Sequence, residues 1–119
     1  MSEFVRYLDE VFKRFGPIHA RRMFGGWGIY GDELMFGLVA DDVLYLKADA
    51  QSLEAFEKRG MRRFEYTRNG KTMGMSYFTA PDEIYDDSDE ARVWATRAYE
   101  AALRSRKPKT KATKRQIGR

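Results

Sequence analysis

The chain contains no cysteine. That excludes a disulfide framework, a thiolate zinc site and a cysteine nucleophile, and it is compatible with a reducing cytoplasm. Histidine is nearly missing too: His19 stands alone, and one imidazole without cysteine cannot build the usual zinc cages. No serine sits in a nucleophile elbow and no lysine in a phosphate-binding loop. No apolar run approaches the roughly 20 residues needed to cross a bilayer. The opening segment MSEFVRYLDEVFKRF is charged and amphipathic, without the apolar core of a secretory signal. These absences predict a soluble, cytoplasmic protein without catalytic residues, metal or cofactor.

What is present is aromatic and unevenly charged. Residues 105–119 carry seven positive side chains and no acid, among them Arg106, Lys107, Lys109, Lys111, Lys114 and Arg115. The other 104 residues hold 15 basic and 18 acidic side chains, so the formal charge of +4 comes from the tail over a mildly acidic body. A segment of that composition cannot bury enough surface to fold alone. The expected organisation is one folded domain over 1–104, a size that supports a real core, and a disordered basic tail over 105–119.

Hydrophobic periodicity outlines the domain. Phe4, Val5, Leu8, Val11, Phe12 and Phe15 recur at helical spacing behind Ser2 as cap, predicting a helix over 3–15 that ends at Gly16-Pro17. The segment from Arg21 to Lys47 reads with period two as three strands, Arg22–Tyr30, Leu34–Ala40 and Val43–Ala48. Gly31-Asp32 and Asp41-Asp42 are the expected turns. That register sets Trp27 opposite Phe36 and Gly26 opposite Gly37. It also divides the apolar residues between two faces, with Trp27, Ile29, Leu34, Phe36, Leu38 and Tyr45 on one. Gly26, Gly28, Met35, Gly37, Val39, Leu44 and Leu46 take the other. Both faces are apolar, so both are expected to be covered. The glycines form a depression suited to a helix of the same chain.

Further on, Asp49 caps a short helix through Leu53 and Phe56 to Gly60. A hairpin Arg62–Arg68 and Lys71–Thr79 turns at Asn69-Gly70, pairing Tyr66 with Met73 and Phe64 with Met75. Asp87-x-x-Glu90 opens a last helix with a stripe of Val93, Trp94, Ala98, Tyr99, Ala102 and Leu103. The order α-βββ-α-ββ-α makes this an α+β fold, an antiparallel five-stranded sheet with flanking helices.

Gly26-Trp27-Gly28-Ile29-Tyr30-Gly31 matches G-x-G-x-x-G literally, but a dinucleotide site needs those glycines in a strand-to-helix turn. Here they lie in a strand that runs into a hairpin. The acids Asp82, Glu83, Asp86, Asp87, Asp89 and Glu90 lack the spacing of a calcium loop and read as the N-terminus of a helix. Two basic groups remain. The tail can neutralise phosphates in a salt-sensitive way, although it lacks aromatics for stacking bases. Arg62, Arg63, Arg68 and Lys71 surround the second hairpin, where they either contact nucleic acid or guard a sheet edge.

Three blocks carry a family resemblance: Arg21-Arg22-Met23-Phe24-Gly25-Gly26-Trp27-Gly28-Ile29-Tyr30, Met35-Phe36-Gly37-Leu38-Val39 and Leu44-Tyr45-Leu46-Lys47. Phe64-x-Tyr66, Gly70-Lys71, Met75-Ser76-Tyr77-Phe78, Pro81-x-Glu83 and Trp94-Ala95 add to them. Over roughly 3–104 the chain resembles the N-terminal domain of the TfoX (Sxy) family. The resemblance implies a bacterial protein with an antiparallel sheet and helices, similar to type III secretion chaperones. It also implies a regulator of competence, the family's two-domain members acting with the cyclic-AMP receptor protein. No enzymatic activity is implied. Two-domain members continue into a second helical domain where this chain has the basic tail, which makes it look like a stand-alone N-terminal domain. The functional expectation is regulation of transcription through a protein partner such as a transcription factor, through DNA, or both. Trp27, Phe36 and Tyr45 are the candidate partner anchors, and a homodimer through the sheet is a further way to cover them. The alternatives are a non-specific nucleic-acid module using the tail and a small-ligand sensor.

Overall fold

Gly25, at φ +76°, reverses the chain inside the segment expected to be a single strand. The computed structural model describes residues 2–23 and 25–106. Helix α1 (Glu3–Val11) is followed by β1 (His19–Met23), β2 (Gly26–Gly31), β3 (Leu34–Ala40) and β4 (Val43–Lys47). Then come α2 (Leu53–Lys58), β5 (Arg63–Arg68), β6 (Lys71–Thr79), a short 3-10 turn (Asp82–Tyr85) and α3 (Ser88–Ser105). The strands form one antiparallel sheet in the order β1-β2-β3-β4-β6-β5. The fold is α+β, with six strands where five are expected, because the turn at Gly25 splits the first predicted strand into a hairpin.

The other turns follow their chemistry. Asp41 and Asp42 (φ 52° and 60°) and Asn69-Gly70 (φ 54° and 77°) both occupy the left-handed region that two-residue hairpins need. The β2–β3 turn falls one residue later than expected, at Asp32-Glu33, with Asp32 at φ 53°. Tyr66 pairs with Met73 as expected, but the register shifts between Arg63 and Glu65, so Phe64 sits at the irregularity rather than opposite Met75.

A bulge in the centre of the sheet has the largest consequence. Trp27 pairs with Val39 and Ile29 with Gly37, but Tyr30 pairs with Met35. Three residues of β3 therefore oppose two of β2, and Phe36 is the extra one. Period-two reading fails across it, since a slip of one residue exchanges the faces. Ile29 and Phe36 join Val39, Leu44 and Leu46 in the main core. Leu38 and Tyr45, expected beside Phe36, instead share the opposite face with Gly28. Trp27 lies across from Val39, not Phe36, and Gly26 across from Met23, not Gly37.

All three helices pack on that first face. Val5, Leu8 and Val11 of α1, with Phe12 just beyond it, Phe56 of α2, and Ala91, Trp94, Ala95, Ala98 and Ala102 of α3 are buried in one cluster with Ile29, Phe36, Leu44, Leu46 and Phe78. Phe36 is fully buried, 5.9 Å from Phe12, 5.0 Å from Phe15 and 6.2 Å from Tyr99 between ring centres. Phe56 lies 5.0 Å from Trp94 and 5.6 Å from Phe78. The buried stripe of α3 is turned from the expected one. Its alanines let the helix lie close on β3 and β4, while Val93 and Leu103 are exposed.

The N-terminal caps of α1 and α3 are the expected Ser2 and Asp87, but α1 stops at Val11 rather than running to Phe15. The Ser2 hydroxyl accepts from the Val5 N–H at 3.1 Å, and the Asp87 carboxylate accepts from the Asp89 and Glu90 N–H groups at 3.0 and 3.2 Å. Ser52, not Asp49, is the residue before α2. Asp49 instead accepts from Gln51 and Ser52 N–H and receives Arg104 in a bidentate pair at 2.6 and 3.0 Å. The Arg104 guanidinium first, then the local N–H groups, holds the Asp49 carboxyl down at about 2 from 3.8. A carboxyl depressed in the folded state stabilises above its unfolded pKa and loses that contribution as pH falls. Stability should therefore fall by about 1 kcal/mol between roughly pH 4 and pH 2 through this pair. In Arg104→Ala that part of the pH dependence, followed by urea unfolding, should disappear.

Candidate interaction surface

The second face of the sheet carries no described helix. Alternation places His19, Arg21 and Met23 of β1 there, with Gly28 and Tyr30 of β2, Met35 and Leu38 of β3, Tyr45 and Lys47 of β4, and Tyr77 of β6. Side-chain contacts agree. A Cβ at Gly28 would meet the sulfurs of Met23 and Met35 at 2.8 and 3.0 Å and the Tyr30 ring at 3.1 Å, so the glycine depression is filled by side chains of its own sheet. It does not seat a helix, contrary to the expectation. The rings of Tyr45 and Phe64 are 4.8 Å apart, edge to face, and Phe64 continues to Tyr66 at 6.3 Å.

This face is concave. Met23 of edge strand β1 and Phe64 of edge strand β5 line one small cleft together with Gly26 and Leu38. Tyr30 of β2 also acts electrostatically on Tyr77, although β3 and β4 intervene. The curl buries Leu38 to 5% and Tyr77 to 7% exposure without help from a helix. Burial first, then Tyr30, pushes the Tyr77 hydroxyl up to about 12. Tyr30, Tyr45 and Phe64 above them are half-buried.

The charge on the sheet has one dominant sign. Its six strands carry six arginines and lysines against a single acid, Glu65, although the domain as a whole is acidic. Two of these cations lie over rings of the concave face: the Arg21 guanidinium is 4.6 Å from the centre of Tyr30 and the Lys47 ammonium 5.2 Å from that of Tyr77. His19 stacks on Tyr30 at 5.4 Å. Arg21 also reaches Glu33 at 3.2 Å.

The expected site residues are scattered by this arrangement. Phe36 is in the core with no exposed surface and cannot anchor a partner. Trp27 packs partly against the helix side, with Arg22 5.3 Å over its ring. Of the three aromatic anchors, Tyr45 lies on the open face, and Trp27 also lines the cleft of Met23, Leu38 and Phe64. Arg62, Arg63, Arg68 and Lys71 are exposed around the β5–β6 hairpin. Arg63 donates to the Met75 carbonyl at 3.2 Å. The edge strands β1 and β5 hold Arg21, Arg22, Arg63 and Arg68, which also guards the edges against pairing with another sheet. Arg106 is exposed at the end of α3; Lys107, Lys109, Lys111, Lys114 and Arg115 lie outside the described residues. Tyr30, Phe64 and Tyr77 escape sequence reasoning because the irregularities of register fall beside them; Lys47 becomes part of the face only by standing over Tyr77. Among the described residues no three His, Asp or Glu side chains converge to hold a metal ion. The G-x-G-x-x-G match forms β2 itself, and no described helix is long and apolar enough to cross a membrane.

Comparison with known proteins points in one direction. A family model, the TfoX N-terminal domain, matches residues 10–102. The DNA transformation protein TfoX1 of Aliivibrio fischeri is 33% identical over 76 residues, covering 60% of this chain and 36% of that protein. Protein Sxy of Escherichia coli is 24% identical over 98 residues, covering 82% of this chain and 47% of that protein. The chain thus spans less than half the length of each relative.

Proposed function

The chain belongs to the TfoX N-terminal domain family, and on that premise we propose that it is a non-catalytic regulatory module of competence-type transcription control that works by binding. The helix-free face of its sheet is the working surface. One observation carries this reading: an antiparallel sheet with helices on one side leaves Tyr30, Tyr45 and Phe64, with Met23 and Met35, on the other. A half-buried aromatic surface with no described helix over it suits an interaction site. The name of the Aliivibrio fischeri relative, a DNA transformation protein, supports the competence context. Such a role is exercised in the cytoplasm.

The test is a competence-gene reporter in the native host, with the chromosomal copy replaced by variants. Tyr45→Ala combined with Phe64→Ala should lower activation by about tenfold or more, the loss of at least one good interface contact. The exposed helix-side change Val93→Ala should leave activation intact. Equal activity of all three proteins, at equal abundance, would remove the sheet face from the function.

A further inference from the structure

We propose that the concave face binds single-stranded nucleic acid, with Tyr30, Tyr45 and Phe64 stacking bases and Arg21 and Lys47 meeting phosphates. The proposal rests on the reading of this face as the working surface and names its ligand. The argument is first one of charge. A domain whose first 104 residues have more acids than bases holds six cations and one acid in its strands; Arg21 and Lys47 stand over rings of this face, while Arg22 lies over Trp27 and Arg63 pairs with the core residue Phe78 on the helix side. A polyanion is the complementary partner. A protein surface of ordinary mixed charge is not.

Chemistry narrows the polyanion. Cations are held over aromatic rings at 4.6 and 5.2 Å, and Tyr45 and Phe64 form a contiguous pair at 4.8 Å. Rings interleaved with positive charge on an open sheet are what bases and phosphates of a single strand require: each base has a face to stack, and each step brings one phosphate. A duplex keeps its bases stacked on one another and offers the rings nothing. These rings supply the aromatics that the basic tail lacks.

Fluorescence anisotropy of the full chain with labelled oligothymidine, and with a duplex of equal length, at two salt concentrations tests this. Tighter binding of the single strand is expected, weakened by roughly 5- to 100-fold in Tyr45→Ala and again in Tyr30→Ala. Tyr45→Phe, which keeps the ring, should bind as the parent does, and circular dichroism melts verify that each variant is folded. Equal affinity for duplex with no effect of the ring variants would overturn the proposal in favour of phosphate contact by basic residues alone. Absence of oligothymidine binding would overturn it as well. If the reporter still needed Tyr45 and Phe64 in that case, the working surface would stand and its occupant would be a protein. A monomer–dimer equilibrium abolished by Tyr45→Ala in sedimentation, without nucleic-acid binding, would make that occupant a second copy of the chain. Ring-dependent binding with an indifferent reporter would uphold the ligand and remove the regulatory surface.

Discussion

Phe36→Ala should lower the free energy of unfolding by about 3–5 kcal/mol, the range for truncating a fully buried aromatic. The sequence reads Phe36 as a strand residue and candidate partner anchor, not as the centre of the core. The bulge gives it its place: Phe36 is inserted between two registers of β2 and turned inward, where Phe12, Phe15 and Tyr99 surround it within 6.2 Å. Those three rings come from the end of α1, the loop after it and α3, so one side chain joins both long helices to the sheet. A small domain has only about 5–15 kcal/mol in total, and the variant should be largely unfolded or melt far below the parent. Urea titration followed by tryptophan fluorescence measures it. A loss under about 1 kcal/mol would mean that the site collapses around the cavity, contrary to the packing described.

Gly26→Ala should be as severe, and for a different reason. A Cβ at Gly26 would lie 2.1 Å from the Val39 carbonyl oxygen, a backbone atom fixed by the pairing of β2 with β3. The sheet must part to admit one methyl group, at a cost of about 3 kcal/mol or more. Gly28 provides the contrast. Its added methyl would press on the ends of two methionine side chains and on a tyrosine ring edge at 2.8 to 3.1 Å. Methionine adapts readily, so Gly28→Ala should cost less than half as much. Thermal melts of the two variants side by side decide it, and equal effects would contradict the geometry.

The two glycines also show what the sequence could convey. Their clustering is visible in GGWG, but what each glycine faces depends on register. Turn chemistry was legible wherever the turn residue itself carries the signal: Asp41-Asp42, Asn69-Gly70, the caps Ser2 and Asp87, and Gly60 at φ +71° past the end of α2. It was not legible at Gly25, whose reversal lies inside a run of alternating residues that reads as one strand. Nor was the bulge at Phe36, because period two holds on either side of it and only the phase changes. The phase error groups Leu38 and Tyr45 with Phe36 on the helix side, whereas they lie on the open side. The stripe of α3 was misread for a related reason. Trp94, Ala98 and Ala102 are buried as the stripe predicts, but close approach to the sheet turns the helix so that Ala91, Ala95 and Ala101 join them and Val93 and Leu103 stay outside. The candidate surface was thus visible as composition, aromatic and basic, before its geometry could be drawn.

Nuclear magnetic resonance of the isotopically labelled full chain, titrated with oligothymidine, tests the central claim most directly, because it reports where on the fold binding occurs. The account predicts shifts concentrated at Tyr30, Tyr45, Lys47 and Phe64 and their strand neighbours, with α1 and α3 unmoved. Shifts confined to the helix side, to the hairpin at Asn69-Gly70 or to residues after Arg106, with the concave face silent, would contradict it.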